Sequence, residues 1–432
     1  MDRTPLGGGA MVGLHLAQGN GAGPAVEEKR AAARGLIERI RLQRVRFVEL
    51  WFSELSGRPR RVAIAAEHLN ENLFKAGLQL DGSSTGPSWD GLIRLLPDPE
   101  SAYIDPAALI PTLALFCSLD DPKDGRRALL RAEALLAKTG ARASVGIEVE
   151  FFLMDPVTRA PASETRVWDL LRSLALSLGR AELEVEGFRH GPAEGQGRVQ
   201  LRPGVPHRLA DQSILYKSVA RALAESAGLS LSFLPKPLPG AGAGGMPLHI
   251  ALWNGSENLF HDARGWALTS PLCRQFAAGL LRHLPALSAF CAPTTNSYRR
   301  LGPSSGLEPV LSQVKSSALC RIPARSAAPG ARRLKFRLAD STANPYLAVA
   351  ASILAGLDGV ESKLEPAIET GGENAPAATL EAALAALERG AGFLKKGGAF
   401  SDELLSAWKQ DRRAAQLEPA RREPHPAELR EN

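Results

Sequence analysis

The sequence has few cysteines, few aromatic residues and no long apolar run, and each shortage removes a class of protein from consideration. Four cysteines, Cys117, Cys273, Cys291 and Cys320, are spread through 432 residues, with no CxxC pair and no Cys/His grouping at zinc spacing. A disulfide framework and a structural zinc site are therefore not expected; free buried thiols in a reducing compartment are. No window holds about 18 consecutive apolar residues, so no membrane span is predicted. The first 24 residues are Gly/Ala-rich but lack a compact apolar run behind a basic start, which does not read as a secretory signal. They are expected to form a flexible tail, with Met11 an alternative start, on a cytoplasmic protein. The net charge of +6 invites a nucleic-acid reading, but the arginines are scattered and short basic runs occur only at 58–61, 332–337 and 421–422. Without a basic stripe, nucleic acid is not an expected partner.

Apolar residues make up 44% of the chain, enough for an ordinary core, and the length suggests two domains, one of them large. Helical periodicity predicts helices over 26–44, 67–76, 122–139, 168–178, 210–227, 268–287, 345–364, 380–396 and 402–412. Alternation predicts strands over 46–50, 60–64, 144–154, 230–234, 248–253 and 332–338, with a turn at Ser56-Gly57. Residues 366–378 read as a surface loop. The glycine-rich run at 240–245 lacks the Lys-Ser/Thr ending of a phosphate-binding P-loop.

Several blocks stand out in order. They are Asp81-Gly82-Ser83-Ser84 with Leu95-Leu96-Pro97-Asp98-Pro99, then Gly146-Ile147-Glu148-Val149-Glu150-Phe151-Phe152-Leu153 and Ser232-Phe233-Leu234-Pro235-Lys236-Pro237. Further on come Thr295-Asn296-Ser297-Tyr298-Arg299-Arg300-Leu301, Asn344-Pro345-Tyr346-Leu347 and Arg422-Glu423-Pro424-His425-Pro426. In this order and spacing they resemble the glutamine synthetase family over about residues 40–430. The resemblance implies an α+β fold: a tail at 1–25, a small N-terminal β-grasp domain at 26–112, and a large catalytic-type domain at 113–432 with a curved antiparallel sheet. It also implies a ring-shaped oligomer in which the aspartate at position 81 reaches into a neighbour's site.

The family's reaction phosphorylates a glutamate side chain with ATP and then lets an amine displace the phosphate. The anionic phosphates need divalent cations held by several oxygen ligands. The resemblance assigns two of six metal-ligand positions to Glu148 and Glu150, which stand two apart on a strand and so share a face. The other four positions carry Gly191 (or His190, if the spacing is one residue longer), Arg198, Pro247 and Lys335. Glu148, Glu150, Arg198 and Lys335 sum to zero charge, and at about 4 Å with an effective dielectric near 20 each unit pair is worth roughly 4 kcal/mol. The expectation is that Glu150 pairs with Arg198 and Glu148 with Lys335, since buried charges without metal need such partners.

Substrate-facing positions of the family correspond to Asn296, Arg300, Arg321, Arg337 and His249, and its catalytic positions to Asp81 and Arg300 should the chain be active. Two functions follow as expectations. The first is a catalytically defective paralogue with a regulatory, binding or co-assembly role. It would form a homo-oligomeric ring or join an active paralogue, bind no cofactor, and retain room for an anionic small molecule in an electropositive cleft. The second is an active ATP-dependent γ-glutamyl ligase using ammonia or another amine, which would require ATP and Mg²⁺ or Mn²⁺.

Overall fold

Apolar residues alternate with charged ones on either side of Ser56-Gly57, and this stretch folds as an antiparallel hairpin of Phe47–Ser53 and Pro59–Ala65. Gly57 turns it with φ +83°, a conformation that favours glycine. A Cβ built there would lie 2.8 Å from the Cα of Asn344, so glycine also permits the turn to abut the large domain. The structure, a computed structural model, describes residues 24–84, 89, 91–238, 242–302, 305–323 and 328–422. Most of the expected tail, and the block that follows Arg422, lie outside the described residues.

The hairpin belongs to a five-stranded sheet in the order Pro59–Ala65, Phe47–Ser53, Thr112–Leu119, Leu92–Ile104, Leu78–Asp81. Its central strand, Thr112–Leu119, runs parallel to Phe47–Ser53 and is buried throughout. That strand starts at the boundary read from sequence, so the small sheet extends past residue 112. The helix Pro24–Leu42 contributes Leu36 and Ile40 to its core.

The large sheet has nine strands. Its main path runs Glu308–Ser312, Ala318–Arg321, Leu334–Phe336, Leu248–Asn254, Arg142–Met154, Gln196–Leu201, Val185–His190. All neighbours on this path are antiparallel except the first pair. Helices cover its apolar face, with Pro345–Glu361 buried along almost its whole length. The expected helix over 268–287 is in fact two, Pro271–Arg282 and Leu284–Cys291. Pro285 lacks an N–H and cannot continue the first helix, but it fits the first turn of the second. The helix expected over 380–396 ends at Gly390, and a tighter 3₁₀ segment takes residues 391–398. The block 295–301 is a short helix closed by a Thr294/Ser297 capping box.

The two domains are joined by a buried polar knot. Arg126, on the helix Gly125–Ala137, donates to Asp211 at 3.1 and 3.0 Å and to Asp98 of the small sheet at 2.7 Å, and Tyr346 donates to Asp211 at 2.5 Å. Burial pushes the Asp98 carboxyl up, but the Arg126 guanidinium outweighs it and holds the group below its ordinary value. All four cysteines are buried and free. No helix among the described residues is long and apolar enough to cross a membrane.

Candidate functional site

The strand Arg142–Met154 lies mid-sheet, so its polar-facing side chains look onto neighbours from both directions. Glu150 is in register with Arg198 on one side; His249 and Lys335, in register with each other, follow on the other. Glu148 and Glu150 emerge on the same face and are both buried. The backbone N–H of Glu148 is taken by Pro247 O and that of Glu150 by Gly245 O, which fixes the strand before any side chain is considered.

Lys335 Nζ donates to Glu148 Oε2 at 2.6 Å. The Arg198 guanidinium stands 3.3 Å from Glu150 and 3.8 Å from Glu148. Both pairs expected from the charges are therefore present. The structure adds three partners that the sequence reading missed. Arg189, reaching in from the edge strand, donates to Glu148 Oε1 at 3.0 Å. Gln196 Nε2 donates to Glu150 Oε2 at 3.0 Å, and so does the Gly245 N–H at 2.8 Å. Ser341 Oγ donates to the carbonyl of Glu150 at 2.9 Å.

Gly191 has a steric role here. A Cβ at that position would fall 2.4 Å from Gln196 Oε1, so the missing side chain is what lets Gln196 lie against Glu150. Arg189 gave no signal in the sequence, because an arginine on an exposed edge strand is ordinary.

His249 is buried, with Nε2 3.7 Å from Glu148 Oε2, beyond hydrogen-bond reach, and neither ring nitrogen has a partner among the described residues. Burial lowers its basicity. Glu148 also suffers burial, but the Lys335 ammonium and the Arg189 guanidinium outweigh it and hold its carboxyl well below the usual range. Glu150 goes the other way: burial raises it and Arg198 only partly opposes.

The remaining site candidates divide. Arg300 donates to the carbonyls of Leu338 at 2.8 Å and Arg337 at 2.5 Å, so both its terminal nitrogens serve the backbone. Asn296 is tied through both side-chain atoms to the backbone of Lys236, at 2.9 and 3.0 Å. Arg337 donates to Ser316 O and to Ala318 O; burial, then Arg300 and Arg321, pull it down to about 10. Arg321 has a buried Nε with no partner. Among the described residues neither Arg321 nor Arg337 makes an ion pair. Asp81 ends its strand and accepts from Ser83 N–H at 3.0 Å and Ser83 Oγ at 2.8 Å; none of these described contacts reaches the cluster.

Two divalent cations need several oxygen ligands. Here the oxygens of Glu148 are taken by Arg189 and Lys335, and one oxygen of Glu150 by Gln196 and Gly245. Among the described residues no group of three His, Cys, Asp or Glu side chains is arranged to hold a metal. The residues present do not fit a pair of dications. What the arrangement offers instead is a neutralised pair of carboxylates beside unpaired arginines.

Comparisons with known proteins agree on the family. Residues 44–122 match the model of the glutamine synthetase β-grasp domain, and residues 122–432 that of the glutamine synthetase catalytic domain. Glutamine synthetase of Mycolicibacterium smegmatis is 32% identical, over 90% of this chain and 96% of its own length. That of Frankia alni is also 32% identical, over 92% and 98%. The solved structure of GmaS without ligand superposes with a TM-score of 0.81 at 26% identity, covering 91% of this chain and 98% of GmaS.

Proposed function

The chain belongs to the glutamine synthetase family, and from that premise we propose that it keeps the family's fold without metal-dependent ligation, acting as a binding, regulatory or co-assembly protein. One observation carries the proposal: the two carboxylates that dications would need are already met by cations, Glu148 by the Lys335 ammonium at 2.6 Å and Glu150 by the Arg198 guanidinium at 3.3 Å, which also stands 3.8 Å from Glu148. A cation brought there meets positive charge first, and each such contact at about 4 Å opposes it by roughly 4 kcal/mol at an effective dielectric near 20. The unpaired Arg321 and Arg337 support an anionic small molecule as the ligand that the cleft retains. Family membership further supports assembly into a ring, alone or with an active paralogue.

The test is γ-glutamyl hydroxamate formation by the purified protein with ATP and Mg²⁺ or Mn²⁺, alongside calorimetric titration of each metal. The expected result is no turnover and no saturable metal binding. Turnover by the purified protein alone would overturn the proposal in favour of a ligase in which Arg198 and Lys335 stand in for the metals' charge.

A further inference from the structure

Away from the cleft, three cations meet around one cavity at the seam of the two domains. Arg58 comes from the turn of the N-terminal hairpin; Lys217 and Arg221 stand four residues apart on the helix Pro206–Ser226. The cavity has a volume of about 610 Å³, and Leu231, Phe233 and Leu234 supply its apolar wall.

The charges are not balanced. Among the described residues none of the three cations makes an ion pair. Lys217 Nζ donates to the carbonyl of Ser341 at 2.7 Å, and the side chains of Arg58 and Arg221 have no hydrogen-bond partner there. Lys217 and Arg221 lie over the same Phe233 ring, 5.7 and 4.9 Å from its centroid. One quadrupole offsets part of one charge and leaves the rest. Burial and the neighbouring Arg221 depress Lys217 to about 8; burial and Arg58 lower Arg221. Each cation is thus less comfortable for the presence of the next. The carboxylate of Asp340 attracts Lys217 from the protein side but makes no ion pair with it.

We propose that this seam cavity is a second anion site, taking a small organic phosphate without a metal ion. Two guanidinium forks match phosphate oxygens in geometry as well as charge, and an ammonium adds a movable third donor. The wall of Leu231, Phe233 and Leu234 suits the organic part. The site draws on both domains, so occupancy fastens the hairpin to the helix. It also touches the cleft: Lys217 holds the carbonyl of Ser341, whose hydroxyl donates to Glu150 O. An anion that draws Lys217 toward itself loosens that link, which is how an effector would act on the cleft. The site does not depend on whether the cleft is active.

The experiment titrates the full-length protein with inorganic pyrophosphate in EDTA at low salt, by calorimetry. Binding is expected, weakening as salt is added. The double variant Arg58→Ala/Arg221→Ala should weaken it at least about tenfold, since it removes both guanidinium forks from the phosphate oxygens. Neither side chain makes an ion pair or a side-chain hydrogen bond among the described residues, so the fold should be unchanged, which circular dichroism checks. Arg321→Ala, in the cleft, removes only what the cleft itself takes up and should leave intact the binding component that the double variant weakens. Absence of binding in EDTA, indifference to the double variant, or loss of that component in Arg321→Ala would each overturn the assignment.

Discussion

Replacing Lys335 with methionine isolates the charge that meets Glu148. Glu148 is only 4% exposed, and the substitution removes its shortest partner, the Lys335 ammonium at 2.6 Å. Removing one member of a buried pair ordinarily costs about 3–5 kcal/mol, because the survivor stays desolvated. Here Arg189 at 3.0 Å and Arg198 at 3.8 Å remain, and the Arg189 side chain is 54% exposed and screened by water. The expected loss is therefore lower, about 2–3 kcal/mol. The reverse change, Glu148→Gln, leaves Lys335 with partial access to water and should cost about 1–2 kcal/mol. If the two groups act on each other directly, the double variant should recover about 1–2 kcal/mol relative to the sum of the singles. Urea unfolding of the assembled protein, with midpoints and slopes compared across the four forms, measures this. Strict additivity, or a Lys335→Met protein as stable as wild type, would refute the claim that Lys335 neutralises Glu148.

The remaining expectations are independent of that cycle. The variant Arg198→Glu/Lys335→Glu turns two repelling cations into carboxylates beside Glu148 and Glu150, and should gain Mn²⁺-dependent thermal stabilisation that wild type lacks; identical melting with and without Mn²⁺ in both proteins would count against the charge argument. Gly57→Ala forces a Cβ to 2.8 Å from Asn344 at φ +83°, so it should lower stability by about 1–3 kcal/mol, read as a fall in Tm. Lys217 is depressed to about 8 against an ordinary 10.5. The unfolded chain thus holds more protons between those values, so this group makes stability rise with pH across that window. In Lys217→Met that part of the rise should vanish from the pH dependence of unfolding.

How much of this was legible in the sequence depends on the range of the interaction. The strand carrying Glu148 and Glu150 announces itself by alternation; the resemblance set positions 198 and 335 beside it, and the need of buried charges for compensation then paired them. Arg189 and Ser341 could not be found that way: one reaches in from a solvent-facing edge strand, the other through a hydroxyl that any loop might carry. Gly191 looked like a lost ligand, and only the packed structure shows it as the space into which Gln196 fits. The helix over 268–287 was overextended because apolar spacing continues unbroken through Pro285, and the missing N–H of that proline outweighs periodicity. Arg300 read as a ligand-handling arginine, yet its two terminal nitrogens are bonded to carbonyls of the 337–338 backbone, a commitment invisible without tertiary contacts.

The replacements at the family's metal positions are best understood as one unit. Gly191 admits Gln196, and Gln196 together with Gly245 satisfies the Glu150 oxygen that faces away from Arg198. Lys335 and Arg189 between them cover both oxygens of Glu148. Pro247, with no side-chain ligand to offer, still presents its carbonyl to the Glu148 N–H. At each position that the resemblance assigns to a metal ligand, the residue present supplies something Glu148 and Glu150 require when no metal is bound. A site that had merely decayed would leave those carboxylates buried and unpaired, at a cost of several kcal/mol that the fold would have to carry. The lining instead holds them with five donors from four different segments, so both carboxylates have partners within the chain itself.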